Sequence, residues 1–298
     1  MMSSPCLFVH STSTPSYTLT WRQRKLIVRL ASEQESFRLS PVRSQERLID
    51  CLQRSPVTLV KLDPALGEDH LKIWADACHQ ADKQLFLRLP SIQNLPQKRS
   101  HVRWHMKRVF DWLAAALMLL LLSPLMVWLA LLMTMFSPGP IFFQQWRVGE
   151  RGKLFRIIKF RTMMVGAERL HHRVMGNQDG LHKLKDDPRI TSLGRWMRKY
   201  SLDELPQLFN VLRGEMSLVG PRPWALYDAV RIKPELQHRL NALPGITGAW
   251  QTQARSHMLD LSAVNRSDLK YLRNWSLWQD LKFLLLTIPK VLSGFGAY

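Results

Sequence analysis

Hydrophobic and polar positions alternate in short runs over residues 23–90, merge into one apolar block, and mix again beyond it. In the first stretch, KLIVRL (25–30) and VTLVKLD (57–63) read as strands. GEDHLKIWADACHQADK (67–83) reads as a helix and QLFLRLP (84–90) as a further strand. This pattern predicts a small α/β module behind a Ser/Thr-rich, poorly ordered start at 1–22. No glycine-rich phosphate loop follows any of these strands, which leaves a dinucleotide site unsupported. SIQNLPQKRSHV (91–102) reads as a linker.

The apolar block, WLAAALMLLLLSPLMVWLALLMTMF (112–136), holds 25 residues without a charge and reads as membrane-embedded. A straight, tilted span is the simplest reading. Ser123–Pro124 at its middle opposes it, because a proline inside a helix loses a backbone hydrogen bond. Each half is then roughly 16–18 Å long, short of the roughly 30 Å hydrocarbon core. Charge opposes it as well. Arg103, His105, Lys107 and Arg108 precede the block; Arg147, Arg151, Lys153, Arg156, Lys159 and Arg161 follow it. Basic flanks mark the cytoplasmic side. A hairpin that enters and leaves by one face, broken at Ser123 and Pro124, satisfies both flanks, and a straight span violates one.

After the Ser137-Pro138-Gly139-Pro140 turn, residues 141–163 read as two short strands around VGERGK. Residues 164–185 look helical and polar. Residues 186–200 lead into a helix carrying Arg195 and Arg198. ALYDAVRIKPELQHRLNAL (225–243) reads as helix and LPGITGAWQTQARS (243–256) as a loop with a short strand. In the tail, Trp278, Leu281, Leu285, Ile288 and Leu292 recur at helical spacing, which suits either a core helix or one lying in a membrane interface. The fold class expected is mixed α/β: a small N-terminal α/β module, then a mainly helical membrane-associated domain. The expected boundaries are 1–22, 23–102, 103–140 and 141–298.

The net charge of +19 calls for an anionic partner: nucleic acid, lipid headgroups or phosphorylated substrates. No recognition-helix motif, zinc-ligand set or RNA-binding signature accompanies it, so nucleic acid is not an expected partner. The three cysteines are far apart and lack CxxC spacing, which argues for a reducing compartment and against a disulfide framework or zinc site. The first residues show no signal-peptide pattern.

Candidate chemistry concentrates at SLDELPQLFNVLRGEMSLVGPRP (201–223), where Asp203 and Glu204 are adjacent. One reading is structural: Ser201 and Glu204 have the spacing of a capping box. The other is chemical. Arg195, Arg198, Lys199, Arg213 and Arg222 crowd the pair, and an acid pair among cations suits chemistry on phosphates. Carboxylates can hold Mg²⁺ together with phosphate oxygens, or attack phosphorus directly. Arginines bind phosphate oxygens bidentately.

Taken together, SPGPIFFQQWRVGERGKLFRIIKFRTM, the run from Asp186 to Pro223, LPGITGAWQ and the final NWSLWQDLKFLLLTIPKVLSGFGAY resemble the bacterial sugar transferase family, the monotopic polyprenyl-phosphate phosphoglycosyl transferases. The resemblance covers roughly residues 103–298. It implies transfer of a sugar-1-phosphate from a UDP-sugar to undecaprenyl phosphate, with release of UMP, as the initiating step of a surface glycan such as exopolysaccharide. It implies Asp203 as nucleophile, through a phosphosugar-aspartate, and Glu204 as its assistant in metal binding or lipid-phosphate deprotonation. Mg²⁺ is the implied cofactor. Lys159, Arg161, Arg198 and Arg222 fall on phosphate- or nucleotide-contacting positions, as does Arg255, although Gln253-Ala254 stands where the family has a glycine just before that arginine. The break of the family's re-entrant helix falls on Ser123 and Pro124. The expected location is the cytoplasmic face of the plasma membrane, in contact with its lipids. A hexose such as glucose or galactose is the expected sugar. The N-terminal module is a candidate for regulation, dimerisation or docking of polysaccharide assembly proteins. The competing reading is a catalytically inactive scaffold for such an assembly.

Overall fold

A computed structural model describes residues 17–30, 45–90, 101–170, 187–253 and 261–294. The chain divides into two compact units, Met1–Leu85 and Phe86–Tyr298.

The first unit is built on a four-stranded sheet in the order β1-β2-β3-β4. β1 (Tyr17–Arg22) and β2 (Lys25–Leu30) form an antiparallel hairpin, and β3 (Leu59–Leu62) runs parallel to β2. β4 (Gln84–Leu87) follows α2 and reaches just past the division between the units. Part of the stretch read as a poorly ordered start is a strand: Tyr17–Arg22 pairs residue for residue with β2. Helices α1 (Gln45–Arg54) and α2 (Glu68–Gln80) supply Leu48, Leu52, Leu71, Trp74 and Cys78 to a core with Val28, Val60 and Leu62. α1 carries few apolar residues and went unread in the sequence. Burial pushes the Cys78 thiol up to about 12, so it is a protonated packing group.

The second unit opens with α3 (His101–Phe136), a 36-residue helix containing Pro124. It is one continuous helix where the sequence predicts a break. Pro124 has no N–H for the Leu120 carbonyl four residues back. The Ser123 hydroxyl donates to that same carbonyl, at 2.9 Å, and replaces the missing bond. Lys107, Asp111, Ala115, Met126, Leu129 and Met133 form a buried stripe at i+3/i+4 spacing, with Leu119 and Leu125 partly buried between them. The other faces present Phe110, Leu113, Leu117, Leu120, Leu121, Trp128, Leu131 and Met135 to the outside. The stripe is fastened to the same body at both ends. Near the start, Lys107 bonds Asp280 at 2.7 Å and the Val219 carbonyl at 3.1 Å; near the end, Met126, Leu129 and Met133 pack with Phe160 and Met197.

β5 (Phe142–Val148) and β6 (Leu154–Phe160) form the expected antiparallel pair, turned through Arg151 and Gly152 at positive φ. α4 (Ser192–Lys199) is capped by the Thr191 hydroxyl, which accepts from Gly194 N–H at 3.0 Å. Gly194 is required by proximity: a Cβ there would lie 2.1 Å from the Thr162 carbonyl oxygen. After α5 (Gln207–Leu212), strand β7 (Ser217–Val219) pairs in parallel with β8 (Gly245–Thr247). The expected helix over 225–243 is a single turn, α6 (Leu226–Ala229), and a 3₁₀ stretch, Pro234–Asn241, because Pro234 interrupts it. α7 (Ala249–Gln253), α8 (Leu261–Arg273) and α9 (Leu277–Ser293) complete the unit.

In α9, Asp280 and Phe283 face inward, whereas Trp278 is 74% and Leu292 73% exposed, with Leu281, Leu285 and Ile288 also outward. The apolar stripe read from the sequence is therefore not core. Its exposure favours the interface reading.

Candidate active site

The acid pair sits on its own 3₁₀ turn, Leu202–Glu204, entered through Ser201 in the left-handed region (φ 54°). The Ser201 side chain makes no capping bond, and α5 begins only after Pro206. The helix-capping reading of Ser201 and Glu204 therefore does not describe this turn. The turn and Leu205, which follows it, divide their work. Leu202 and Leu205 pack against the cluster of Met126, Leu129, Met133, Phe160 and Met197, so the turn shares one hydrophobic core with α3, β6 and α4. Asp203 is buried. Glu204 faces cations: its Oε1 lies 2.6 Å from Lys159 Nζ and 3.9 Å from Arg222 Nη1.

Lys159 reaches the pair from β6. Burial pushes its ammonium pKa down, and the carboxylates of Glu204 and Asp203 push back. Arg198, on the last turn of α4, is fixed by Nε donating to Thr162 Oγ1 at 2.8 Å. Burial lowers its pKa as well, opposed first by Asp203. Arg222 lies on the Pro221–Pro223 turn with its guanidinium 5.7 Å from the Trp250 ring centre. A cleft opens among these groups, lined by Arg147, Ile157, Lys159, Glu204, Gln207, Arg222, Pro223, Gly245, Ile246 and Gln251. Among the described residues no group of three or more His, Cys, Asp or Glu side chains could hold a metal.

The profile of the family described as "Bacterial sugar transferase" matches residues 102–294. The chain belongs to this family. This bacterial sugar transferase is 42% identical over 214 residues to the undecaprenyl-phosphate galactose phosphotransferase of Salmonella typhimurium, covering 70% of this chain and 44% of that protein. It is 42% identical over 206 residues to the exopolysaccharide production protein ExoY of Rhizobium meliloti, covering 64% of this chain and 88% of that one. It is 44% identical over 200 residues to the UDP-glucose:undecaprenyl-phosphate glucose-1-phosphate transferase of Caulobacter vibrioides, covering 64% of this chain and 72% of that one. Several of its other curated relatives are longer, and the chain spans less than half of their length.

Of the residues singled out in the sequence, Asp203, Glu204, Lys159, Arg198 and Arg222 are gathered in this transferase. Arg255 lies outside the described residues, as do His171, His172, His182 and Asp186. Arg161 is placed elsewhere. Its Nε donates to Pro140 O at 2.7 Å and its Nη1 to Ser137 Oγ and Met163 O, both at 3.0 Å. Its Nη2 donates to the carbonyls of Ser137 and Pro138. Every nitrogen of the fork is bonded around the turn that leaves α3, so Arg161 is placed here as a clamp on that turn. Replacing it with glutamine is expected to cost about 3 kcal/mol, since hydrogen bonds to a charged donor are each worth roughly 1.5–3 kcal/mol and several carbonyls would be orphaned. Thermal unfolding reads this loss, and donor KM in the folded fraction stays unchanged.

Asp187 is likewise structural: it binds Arg189 through both carboxylate oxygens, at 2.8 and 2.6 Å. The sequence reading missed the support behind Arg222. Arg239 is buried, pairs with Asp268 Oδ2 at 2.7 Å, donates to the Arg222 carbonyl at 2.5 Å, and stacks 4.7 Å from the Trp224 ring centre. Arg147 on the cleft wall was read only as a flanking charge, and Asp228 behind it was not read. Burial raises the Asp228 carboxyl to about 6, opposed first by Arg147.

Proposed function

We propose that this chain transfers a hexose-1-phosphate from a UDP-sugar to a polyprenyl phosphate such as undecaprenyl phosphate, releasing UMP and initiating a surface polysaccharide such as exopolysaccharide. The observation that carries the reading is the construction of the acid turn. Leu202 and Leu205 set Asp203 and Glu204 in the hydrophobic cluster that also receives the inner side of α3, a helix whose outer faces are apolar and exposed, while Lys159, Arg198 and Arg222 surround the acids. A soluble diphosphate and a lipid phosphate can then meet at one cationic cleft in the headgroup layer. The names of the relatives, which specify sugar phosphate and undecaprenyl phosphate, support the same substrates.

In this reading an Asp203 carboxylate oxygen attacks the sugar-proximal phosphorus. The bond from that phosphorus to the bridging oxygen breaks and UMP leaves, with the phosphosugar held on Asp203 as a mixed anhydride. An oxygen of the lipid phosphate then attacks the same phosphorus. The bond to Asp203 breaks, the carboxylate is restored, and polyprenyl diphosphate-sugar forms. Lys159, Arg198 and Arg222 stabilise the charge that develops on the phosphoryl oxygens. Glu204, held by Lys159, assists at the lipid phosphate. Asp203 and Glu204 offer only oxygen donors and only two carboxylates, the donor set of a Mg²⁺ held mainly by substrate phosphates. These two would hold the ion, which when bound supplies neutralisation of the diphosphate.

The same packing supports a membrane placement. Both ends of α3 are fixed to one body, and Arg103, Lys107 and Arg108 on one side match Arg147, Arg151 and Lys153 on the other. A monotopic arrangement on the cytoplasmic face, with α3 held along the body rather than crossing and α9 lying in the interface, keeps every basic flank on one side. In membranes or detergent with undecaprenyl phosphate and Mg²⁺, UMP release from at least one UDP-hexose supports the reading. No release from any nucleotide sugar by folded protein sinks it and brings the scaffold reading forward.

A further inference from the structure

The β5–β6 register places Arg147 opposite Phe155, Gln145 opposite Ile157 and Phe143 opposite Lys159. Cross-strand partners and alternate residues share a face, so Arg147 and Lys159 project from the same side of the hairpin. That side forms a wall of the cleft, where Ile157, Glu204 and Arg222 also lie. Arg147 differs from Arg161 in how its fork is used. Nη1 donates to Pro223 O at 3.1 Å and Nη2 to Gln145 Oε1 at 2.6 Å, while Nε is buried with no hydrogen-bond partner among the described residues. Behind it Asp228 is buried and its Oδ1 is also without a partner among the described residues. A buried donor left unmade is costly, and one beside a cleft is an atom an incoming acceptor can satisfy.

We infer that Arg147 is a further ligand of the donor's diphosphate, acting from the cleft wall beside Lys159 and Arg222, with Asp228 as its positioning residue. This rests on the proposed use of the cleft by a nucleotide diphosphate-sugar. The anchors explain the role. By holding the Pro223 carbonyl, Arg147 fixes the turn that carries Arg222 from one side, as Arg239 does through the Arg222 carbonyl from the other. The two cleft arginines are thereby set in a fixed relation, which suits bidentate recognition of phosphoryl oxygens. Arg147 bridges Ala225 at the entry to α6, the turn that carries Asp228, and Asp228 there joins Tyr227 and Glu204 in offsetting the burial of the Arg147 guanidinium beside Arg222.

The test uses the full chain in detergent or nanodiscs, with UDP binding and steady-state UMP release measured on wild type, Arg147→Gln, Arg147→Lys and Asp228→Asn. Arg147→Gln is expected to weaken UDP binding and raise the KM for UDP-sugar by about tenfold or more, with kcat changed much less, because a charge-assisted contact to phosphate is lost. Arg147→Lys, which keeps the charge and loses the fork, is expected to recover part of that loss and decides the matter should the glutamine variant not fold. Asp228→Asn is expected to shift KM in the same direction by about threefold at unchanged Tm. Wild-type UDP affinity and KM in both Arg147 variants overturn the inference. If wild type transfers no sugar but UDP binding still depends on Arg147, the transferase reading fails and the diphosphate site stands.

Discussion

Asparagine at position 203 is expected to abolish UMP release, by at least about 10³-fold in kcat, because the amide cannot form the acyl phosphate and no second carboxylate occupies its place. The substitution is nearly isosteric at a buried position, so the fold and the donor affinity should survive. Glu204→Gln makes the comparison informative. Glu204 Oε1 is held by Lys159 at 2.6 Å, and the glutamine variant keeps a hydrogen-bonding oxygen there while losing the charge. It is expected to lose less, about 10²-fold, with the ability to form the covalent intermediate retained. Equal and total loss in both variants, with donor binding intact, would mean that the two acids act as one unit and would remove the separate role given to Asp203.

The largest effect on stability is expected at Lys107. It is buried on the inward stripe of α3, between Asp280 at 2.7 Å and Asp111 at 3.7 Å. Asp111 also accepts from Ser217 Oγ at 2.8 Å and from Leu218 N–H at 3.3 Å, while Asp280 accepts from Tyr271 OH at 2.6 Å and Trp275 Nε1 at 3.1 Å. One ammonium therefore joins α3, β7, α8 and α9. Lys107→Met leaves the buried Asp280 without its counter-charge and Asp111 with Arg108 alone, at 3.3 Å, and breaking such a pair from one side costs roughly 3–5 kcal/mol. The variant should melt well below wild type in detergent, or be recovered unfolded. Replacing Lys107 and Asp280 together by Met and Asn should restore part of the loss, because Asp111 keeps Arg108 and no buried carboxylate is then left without a counter-charge. A Tm for Lys107→Met equal to that of wild type would show that this cluster does not hold α3 to the body.

Periodicity was enough to read β2, β3 and β4 of the N-terminal module, α2, the β5–β6 hairpin and the apolar stripe of α9. It failed where local signal and packing part company. β1 hides in a Ser/Thr-rich start and is ordered by pairing with β2. The Ser123–Pro124 pair reads as a break because proline removes a donor, yet the serine hydroxyl supplies the substitute bond to Leu120 and the helix continues. The acid pair was legible because its cationic neighbours lie close in sequence. Choosing among the arginines was harder. Arg161 lies two residues from Lys159 and parity puts both on one face, but β6 ends at Phe160 and the chain turns away, so Arg161 closes on Ser137 and Pro140. Arg147 shares the face of Lys159 through the hairpin register, a signal present in the sequence once the turn at Glu150–Gly152 is fixed. The Arg239–Asp268 support of Arg222 joins positions 29 residues apart and carries no local signal.

The covalent step can be isolated from the lipid. Protein, UDP-hexose and Mg²⁺ are incubated with labelled UMP and no polyprenyl phosphate, and label is followed into the UDP-hexose pool. A phosphosugar-aspartate formed reversibly at Asp203 predicts exchange in the wild type, its loss in Asp203→Asn, and no requirement for lipid. Absence of exchange in a preparation that completes transfer once undecaprenyl phosphate is added would contradict the two-step account and require direct attack by the lipid phosphate on the donor.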